Sequence, residues 1–165
     1  MILYHGTNRL FDKFDLAKSF LGKDFGRGVY LTTSYEQAKE WAQKKARKTG
    51  KPYVYTYDIP DKFLTDSKHY KILQFLTYNK EWADYLVACR IDLEETSHDI
   101  VYDRMADNTY EELTDVLYGY HLGNVSLTVL LMTVRQRNKE YDQYCFKTRR
   151  VVDIVNVCRV SSEEV

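Results

Sequence analysis

Residues 24–41 read Asp-Phe-Gly-Arg-Gly-Val-Tyr-Leu-Thr-Thr-Ser-Tyr-Glu-Gln-Ala-Lys-Glu-Trp and constrain the local fold more than any other stretch. Gly22, Gly26 and Gly28 punctuate a turn region. Val29–Thr32 then forms a short apolar strand carrying Tyr30. Thr33 and Ser34 are good helix caps, and Ser34 with Gln37 resembles a capping box. A helix follows from about Tyr35 to Lys48, with Ala38, Trp41 and Ala42 expected inside, and stops at Gly50. The unit is therefore turn, strand, cap, helix.

The same reading extends to the rest of the chain. Ile2–His5 is a first strand, and Asn8–Lys23 a loop with at most a short helix. Tyr53, Tyr55 and Tyr57 alternate within a Pro52–Ile59 strand, three of the fifteen tyrosines. Phe63–Thr65 is expected to add a short strand. Tyr70–Arg90 reads as helix, with a break near Asn79 and Leu73, Leu76, Trp82, Leu86 and Val87 inward. Asp99–Asp103 is a strand, and Tyr110–Tyr120 and Ser126–Arg135 are helices. Gln143–Thr148 and Val151–Val160 are strands. Helices between clusters of strands favour α+β over a doubly wound sheet. The 165 residues suit one domain, 1–165, with no repeat or linker.

Charge and cysteine usage exclude several classes. Lys plus Arg number 24 and Asp plus Glu 24, so no whole-surface affinity for nucleic acid or acidic membranes is indicated. Basic runs such as Lys44, Lys45, Arg47, Lys48 and Lys51 read first as a solvated helix face. Cys89, Cys145 and Cys158 show no paired short spacing, which argues against a disulfide scaffold and a zinc site. No signal segment opens the sequence, and its most apolar run, Ser126–Val134, is too short to span a bilayer. A cytoplasmic protein with no metal and no membrane contact is expected. Gly22–Gly28 lacks the Gly-Lys-Ser/Thr ending of a phosphate-binding loop, and no serine elbow or His-x-x-x-His pair occurs.

What remains is a set of residues suited to a flat, amide-bearing ring such as nicotinamide. The carboxamide needs a backbone N–H and C=O on an extended segment, and the ring needs an aromatic stack. Gly6 lets a ligand lie close on the backbone. His5 can donate to a ribose hydroxyl, and Thr7 can support the amide. Tyr30 supplies the stack, and Trp41, 11 positions later, can return to the same pocket. Arg27 and Lys23 are placed to reach a pyrophosphate. Singly, each has a structural explanation: a structural histidine, a core tyrosine, a buried helix tryptophan.

Taken together, the pattern resembles the ADP-ribosyltransferases of the poly(ADP-ribose) polymerase and diphtheria-toxin branch, and more narrowly a group of small bacterial members. The likeness rests on His5-Gly-Thr7, on Gly26-Arg-Gly-Val-Tyr-Leu31, and on Trp41 where the family usually has tyrosine. It extends to the segment 99–108 (Asp-Ile-Val-Tyr-Asp-Arg-Met-Ala-Asp-Asn) and to Gln143-Tyr-Cys-Phe-Lys-Thr148. The resemblance implies two small packed antiparallel-rich sheets forming a central NAD cleft flanked by helices. It also implies NAD as substrate, nicotinamide ribose gripped by His5 and Gln143, and transfer of a single ADP-ribose to a macromolecule. A protein acceptor fits the charge balance better than a nucleic acid.

Gln143 departs from the family, whose third motif begins with glutamate. Glutamine keeps a hydrogen bond but loses a charge, and preorganised charge at a transition state is worth several kcal/mol. Three readings stay open: Gln143 alone sustains slow transfer; another carboxylate, Asp107 or Asp103, takes the role; or the pocket binds NAD without turnover. Asp107 also suits a cap of the following helix. Chain elongation to a polymer is not expected. The competing functions are a catalytically silent NAD-binding or interaction module and an NAD glycohydrolase. The small bacterial members suggest a delivered effector or toxin, held in check by a neutralising protein partner.

Overall fold

A computed structural model describes residues 1–105, 110–134 and 141–165. Seven strands and six α-helices are described. They follow the order β1 (Ile2–Thr7), β2 (Val29–Leu31), α1 (Tyr35–Ala46), β3 (Tyr53–Asp58), α2 (Asp61–Thr65), β4 (Ile72–Phe75) and α3 (Lys80–Arg90). Then come β5 (Ile100–Arg104), α4 (Tyr110–His121), α5 (Leu127–Thr133), β6 (Asp142–Phe146), α6 (Arg149–Val157) and β7 (Arg159–Glu164). A 3-10 turn at Leu16–Lys18 interrupts the long first loop. No described helix is long and apolar enough to cross a membrane.

The strands form two sheets, ordered β1-β3-β7 and β2-β6-β5-β4. Every pairing is antiparallel except β4 with β5. The expected α+β class with two mostly antiparallel sheets is therefore present. One core joins the sheets: Leu3, Tyr55 and Tyr57 from the first meet Val29, Leu31, Ile100, Tyr144 and Phe146 from the second, with Val151, Val152 and Val155 of α6. A second core gathers Val101 and Cys145 with Phe25, Trp82, Leu86, Leu113, Leu117 and Leu130. The alternation that puts Cys145 and Phe146 in different cores is the period of two of a strand.

Among the described residues one antiparallel bridge joins the edges of the two sheets. Tyr4 N–H donates to Thr32 O at 2.8 Å, and Thr32 N–H returns to Tyr4 O at 2.9 Å. Buried Asp142 braces this corner by accepting from Thr32 Oγ1 (2.9 Å), Thr33 N–H (2.8 Å) and Thr33 Oγ1 (2.8 Å). The α1 cap forms as its sequence indicates, with Gln37 N–H donating to Ser34 Oγ at 3.3 Å.

Four local expectations are corrected. The Tyr70–Arg90 span is a strand followed by a helix: Ile72–Phe75 pairs in parallel with β5, and Asn79 caps α3 by accepting from Trp82 N–H at 2.9 Å. Leu76 lies in the connection and is 62% exposed. Phe63–Thr65 belongs to α2, started by Pro60, with Phe63 and Leu64 buried. Residues 149–157 are helical despite their β-branched content, because Val151, Val152 and Val155 fall on one helical face; only the exposed Arg159–Glu164 is strand. Trp41 is not inside α1 but 46% exposed; Ala38 and Ala42 are the buried positions.

Candidate functional site

Past the Tyr4–Thr32 bridge the two sheets part. In an extended strand, N–H and C=O groups of alternate residues point to the same edge. Gly6 is two residues beyond Tyr4, so its N–H and C=O point to the side where β2 lies. Continuing the bridge register by one step would set Gly6 opposite Tyr30, yet among the described residues neither Gly6 backbone group bonds across. The His5 ring takes the acceptor instead, with Nδ1 2.8 Å from Tyr30 O. Gly6 backbone on β1 and Tyr30 on β2 thus border the place where the strands part, with the His5 ring between them and no backbone hydrogen bond across among the described residues.

His5 is half-buried, and its ring meets Phe14 and Phe11 edge-on at centroid distances of 5.0 and 5.9 Å. Burial pushes its pKa down to about 4, and the positive charges of Lys45 and Lys23 act in the same direction. The imidazole is therefore neutral at physiological pH. A carbonyl only accepts, so Nδ1 carries the proton and Nε2 is left as an acceptor. A ribose hydroxyl at His5 would be the donor, which reverses the polarity expected from sequence.

Several cations gather nearby. Lys23 Nζ lies 5.2 Å over the Tyr30 ring and 4.5 Å over Phe20. Burial lowers the Lys45 pKa to about 8, with Lys23 and Arg9 adding repulsion. Lys45 also sits 5.2 Å over the Trp41 ring, which places Trp41 beside these charges. Arg27 is drawn elsewhere, its Nε 3.1 Å from a Glu95 carboxylate oxygen. Thr7 ends β1 and is buried.

Tyr30 and Gln143 share one face of the second sheet. Tyr30 pairs with Cys145, and Gln143, two residues earlier on β6, pairs with Asp103. One loop holds both. Tyr30 Oη donates to Gly26 O at 2.8 Å and accepts from Phe25 N–H at 3.1 Å. Beside them, Asp24 Oδ2 accepts from Gln143 Nε2 at 2.8 Å. Asp24 Oδ1 is held by Arg90, Nε at 2.8 Å and Nη2 at 2.6 Å. Gln143 and Arg90 are each 8% exposed.

Asp103 completes the cluster. It is 2% exposed; its Oδ2 accepts from Trp82 Nε1 at 2.9 Å, its Oδ1 is buried with no hydrogen-bond partner within bonding geometry among the described residues, and the Gln143 side chain borders the carboxyl. Burial, reinforced by the negative charge of Asp24, holds its carboxyl protonated well above the usual carboxylate range. A raised acid pKa in the folded state makes stability fall as pH rises from the unfolded value near 4 toward the folded one. Asp103→Asn mimics the neutral acid and removes that loss. Urea melts should show the variant gaining over the parent at pH 7 and the gain vanishing near pH 4; an equal difference at both pH values would refute the assignment.

The structure thus brings His5, Gly6 and Tyr30 together where β1 and β2 part, sets Gln143 on the Tyr30 face, and leaves Trp41 exposed on α1. Arg27 is engaged apart from them, and Asp107 lies outside the described residues. Asp24 and Arg90 were missed by sequence reasoning: one sits in an irregular loop and the other ends a helix, 66 positions apart, so no spacing links them. Neither the curated proteins nor the solved structures give a match. The family model described as a protein of unknown function, DUF3990, matches residues 1–157, and the chain belongs to that family.

Proposed function

We propose that this protein is an NAD-dependent mono-ADP-ribosyltransferase built on the ADP-ribosyltransferase-like fold, with NAD bound where β1 and β2 part, against the face of the second sheet that carries Tyr30 and Gln143. The observation that carries the reading is the place where β1 and β2 part, with His5 Nδ1 2.8 Å from Tyr30 O and the Gly6 backbone on the same edge. The carboxamide pairs with Gly6, and the nicotinamide ring lies on Tyr30. That ring is cationic in NAD, and a tyrosine face attracts cations; Lys23 holds such a position over Tyr30 at 5.2 Å. As the ring enters, Lys23 swings toward the pyrophosphate, which Lys45 and Arg9 also attract.

The ribose hydroxyls donate to His5 Nε2 and to Gln143. The bond between ribose C1′ and the nicotinamide nitrogen breaks, and its electron pair leaves with nicotinamide. Positive charge spreads over C1′ and the ring oxygen until the acceptor's nucleophile bonds C1′ and sheds its proton. Near-zero net charge favours a protein acceptor, because a large nucleic-acid footprint rests on many phosphate contacts. The likeness to small bacterial members supports a cytoplasmic site of action, reached natively or by delivery, and a neutralising partner.

The test is calorimetric titration of the full chain with NAD, with nicotinamide release followed in parallel. Binding and slow release are expected, and His5→Ala should weaken binding about tenfold, the worth of one good hydrogen bond. No binding at millimolar NAD overturns the reading. Gln143 in place of a carboxylate favours one second reading, an NAD-binding module without turnover; binding with no nicotinamide released selects it. Release of free ADP-ribose with no labelled macromolecule selects hydrolysis.

A further inference from the structure

We propose that Asp24 is the positioning residue that makes Gln143 serve in place of a carboxylate, an inference that rests on the transferase reading. A carboxylate only accepts hydrogen bonds, so the Gln143 atom facing Asp24 Oδ2 at 2.8 Å must be the NH2 group. That contact fixes the sense of an amide that could otherwise turn over. Held this way, the carbonyl oxygen Oε1 is the electron-rich end that a ligand hydroxyl would meet, beside the Asp103 carboxyl that also borders the amide. Arg90 anchors the other Asp24 oxygen through Nε at 2.8 Å and Nη2 at 2.6 Å, so the carboxylate cannot rotate away.

The device also brings a negative charge one hydrogen bond from Gln143, on the face that carries Tyr30. Asp24 is next to Phe25 and close to Gly26, the residues that hold the Tyr30 hydroxyl. One loop therefore registers the stacking ring and the ribose-binding amide against each other. Asp107 and Asp103 are the carboxylates the sequence offers for the missing charge; the geometry points to Asp24.

Substitutions that exchange donor and acceptor test this. In Asp24→Asn, Oδ1 still takes Arg90, but Nδ2 then faces Gln143 Nε2, two donors opposed. The amide of Gln143 turns over and presents NH2 to the ribose. A hydroxyl can accept as well as donate, so NAD affinity should stay within about threefold. The electron-rich oxygen is lost from the transition state, and kcat for nicotinamide release should fall about 100-fold. Gln143→Glu alone sets two carboxylates against each other and should also be slow. Combining Asp24→Asn with Gln143→Glu lets the new amide donate to the new carboxylate and keeps the net charge. That double variant should release nicotinamide at least as fast as the parent.

Thermal melts accompany each variant. If Asp24→Asn alone fails to fold, the double variant decides: folding and turnover regained together support the proposal. Asp24→Asn within twofold of the parent kcat, or a double variant no faster than either single one, overturns it. A parent that turns over while these variants behave so sinks this inference alone. A parent that neither binds NAD nor releases nicotinamide sinks the transferase reading as well.

Discussion

Tyr30→Ala is expected to weaken NAD binding about 100-fold and to abolish measurable nicotinamide release. The ring offers a face for an aromatic cation: stacking on an aromatic side chain is worth about 1–3 kcal/mol, and a desolvated cation–π contact about 2 kcal/mol. These overlap, and a combined loss near 3 kcal/mol corresponds to about 100-fold. Tyr30→Phe separates ring from hydroxyl. It keeps the face but loses the bonds to Gly26 O (2.8 Å) and from Phe25 N–H (3.1 Å). That variant should lose about 1 kcal/mol of stability and bind NAD within a few fold of the parent. Both are checked by calorimetry beside thermal melts. Equal affinity in Tyr30→Ala and the parent would remove the Tyr30 face from the account, wherever NAD binds.

The parts of this arrangement that were legible in the sequence are those set by local signals. The Ser34 cap, the Gly-Arg-Gly turn into Val29–Leu31 and the alternating Tyr53–Asp58 strand each follow from neighbours a few positions apart. Where local and tertiary preferences disagree, the sequence misleads. Ile72–Phe75 carries an apolar run that suits a buried strand or a helix, and only its pairing with β5 decides. Val151, Val152, Ile154 and Val155 favour a strand by type, but their helical spacing buries three of them against the inter-sheet core. The site divides the same way. His5, Gly6 and Tyr30 sit in recognisable motifs, whereas Asp24 acquires its meaning only from Arg90 and Gln143, 66 and 119 positions away.

Gly6→Ala should cost about 3 kcal/mol, at the upper end for overpacking, because the obstacle is backbone. A Cβ on Gly6 would stand 1.9 Å from the Ala38 carbonyl oxygen and 2.9 Å from its carbon, with Ala42 N at 3.0 Å. No rotamer relieves a clash with a carbonyl, and Ala38→Gly leaves that carbonyl in place, so it should not rescue the variant. Helix α1 must lift from β1, and for a chain of this size the melting temperature should drop by roughly 10 °C. Sequence reading gave Gly6 another purpose, close approach of a ligand to the backbone. The two separate cleanly. The missing side chain faces α1, whereas the N–H and C=O proposed to hold the carboxamide lie in the strand plane, toward β2. If Gly6 served the ligand alone, Gly6→Ala would melt with the parent and lose only NAD. The geometry predicts the reverse order of events: α1 is displaced first, carrying Lys45 and Trp41 with it, and NAD binding weakens as a consequence. Urea melts without NAD decide the matter, since a parental melting curve for Gly6→Ala would show that α1 does not press on β1 as described.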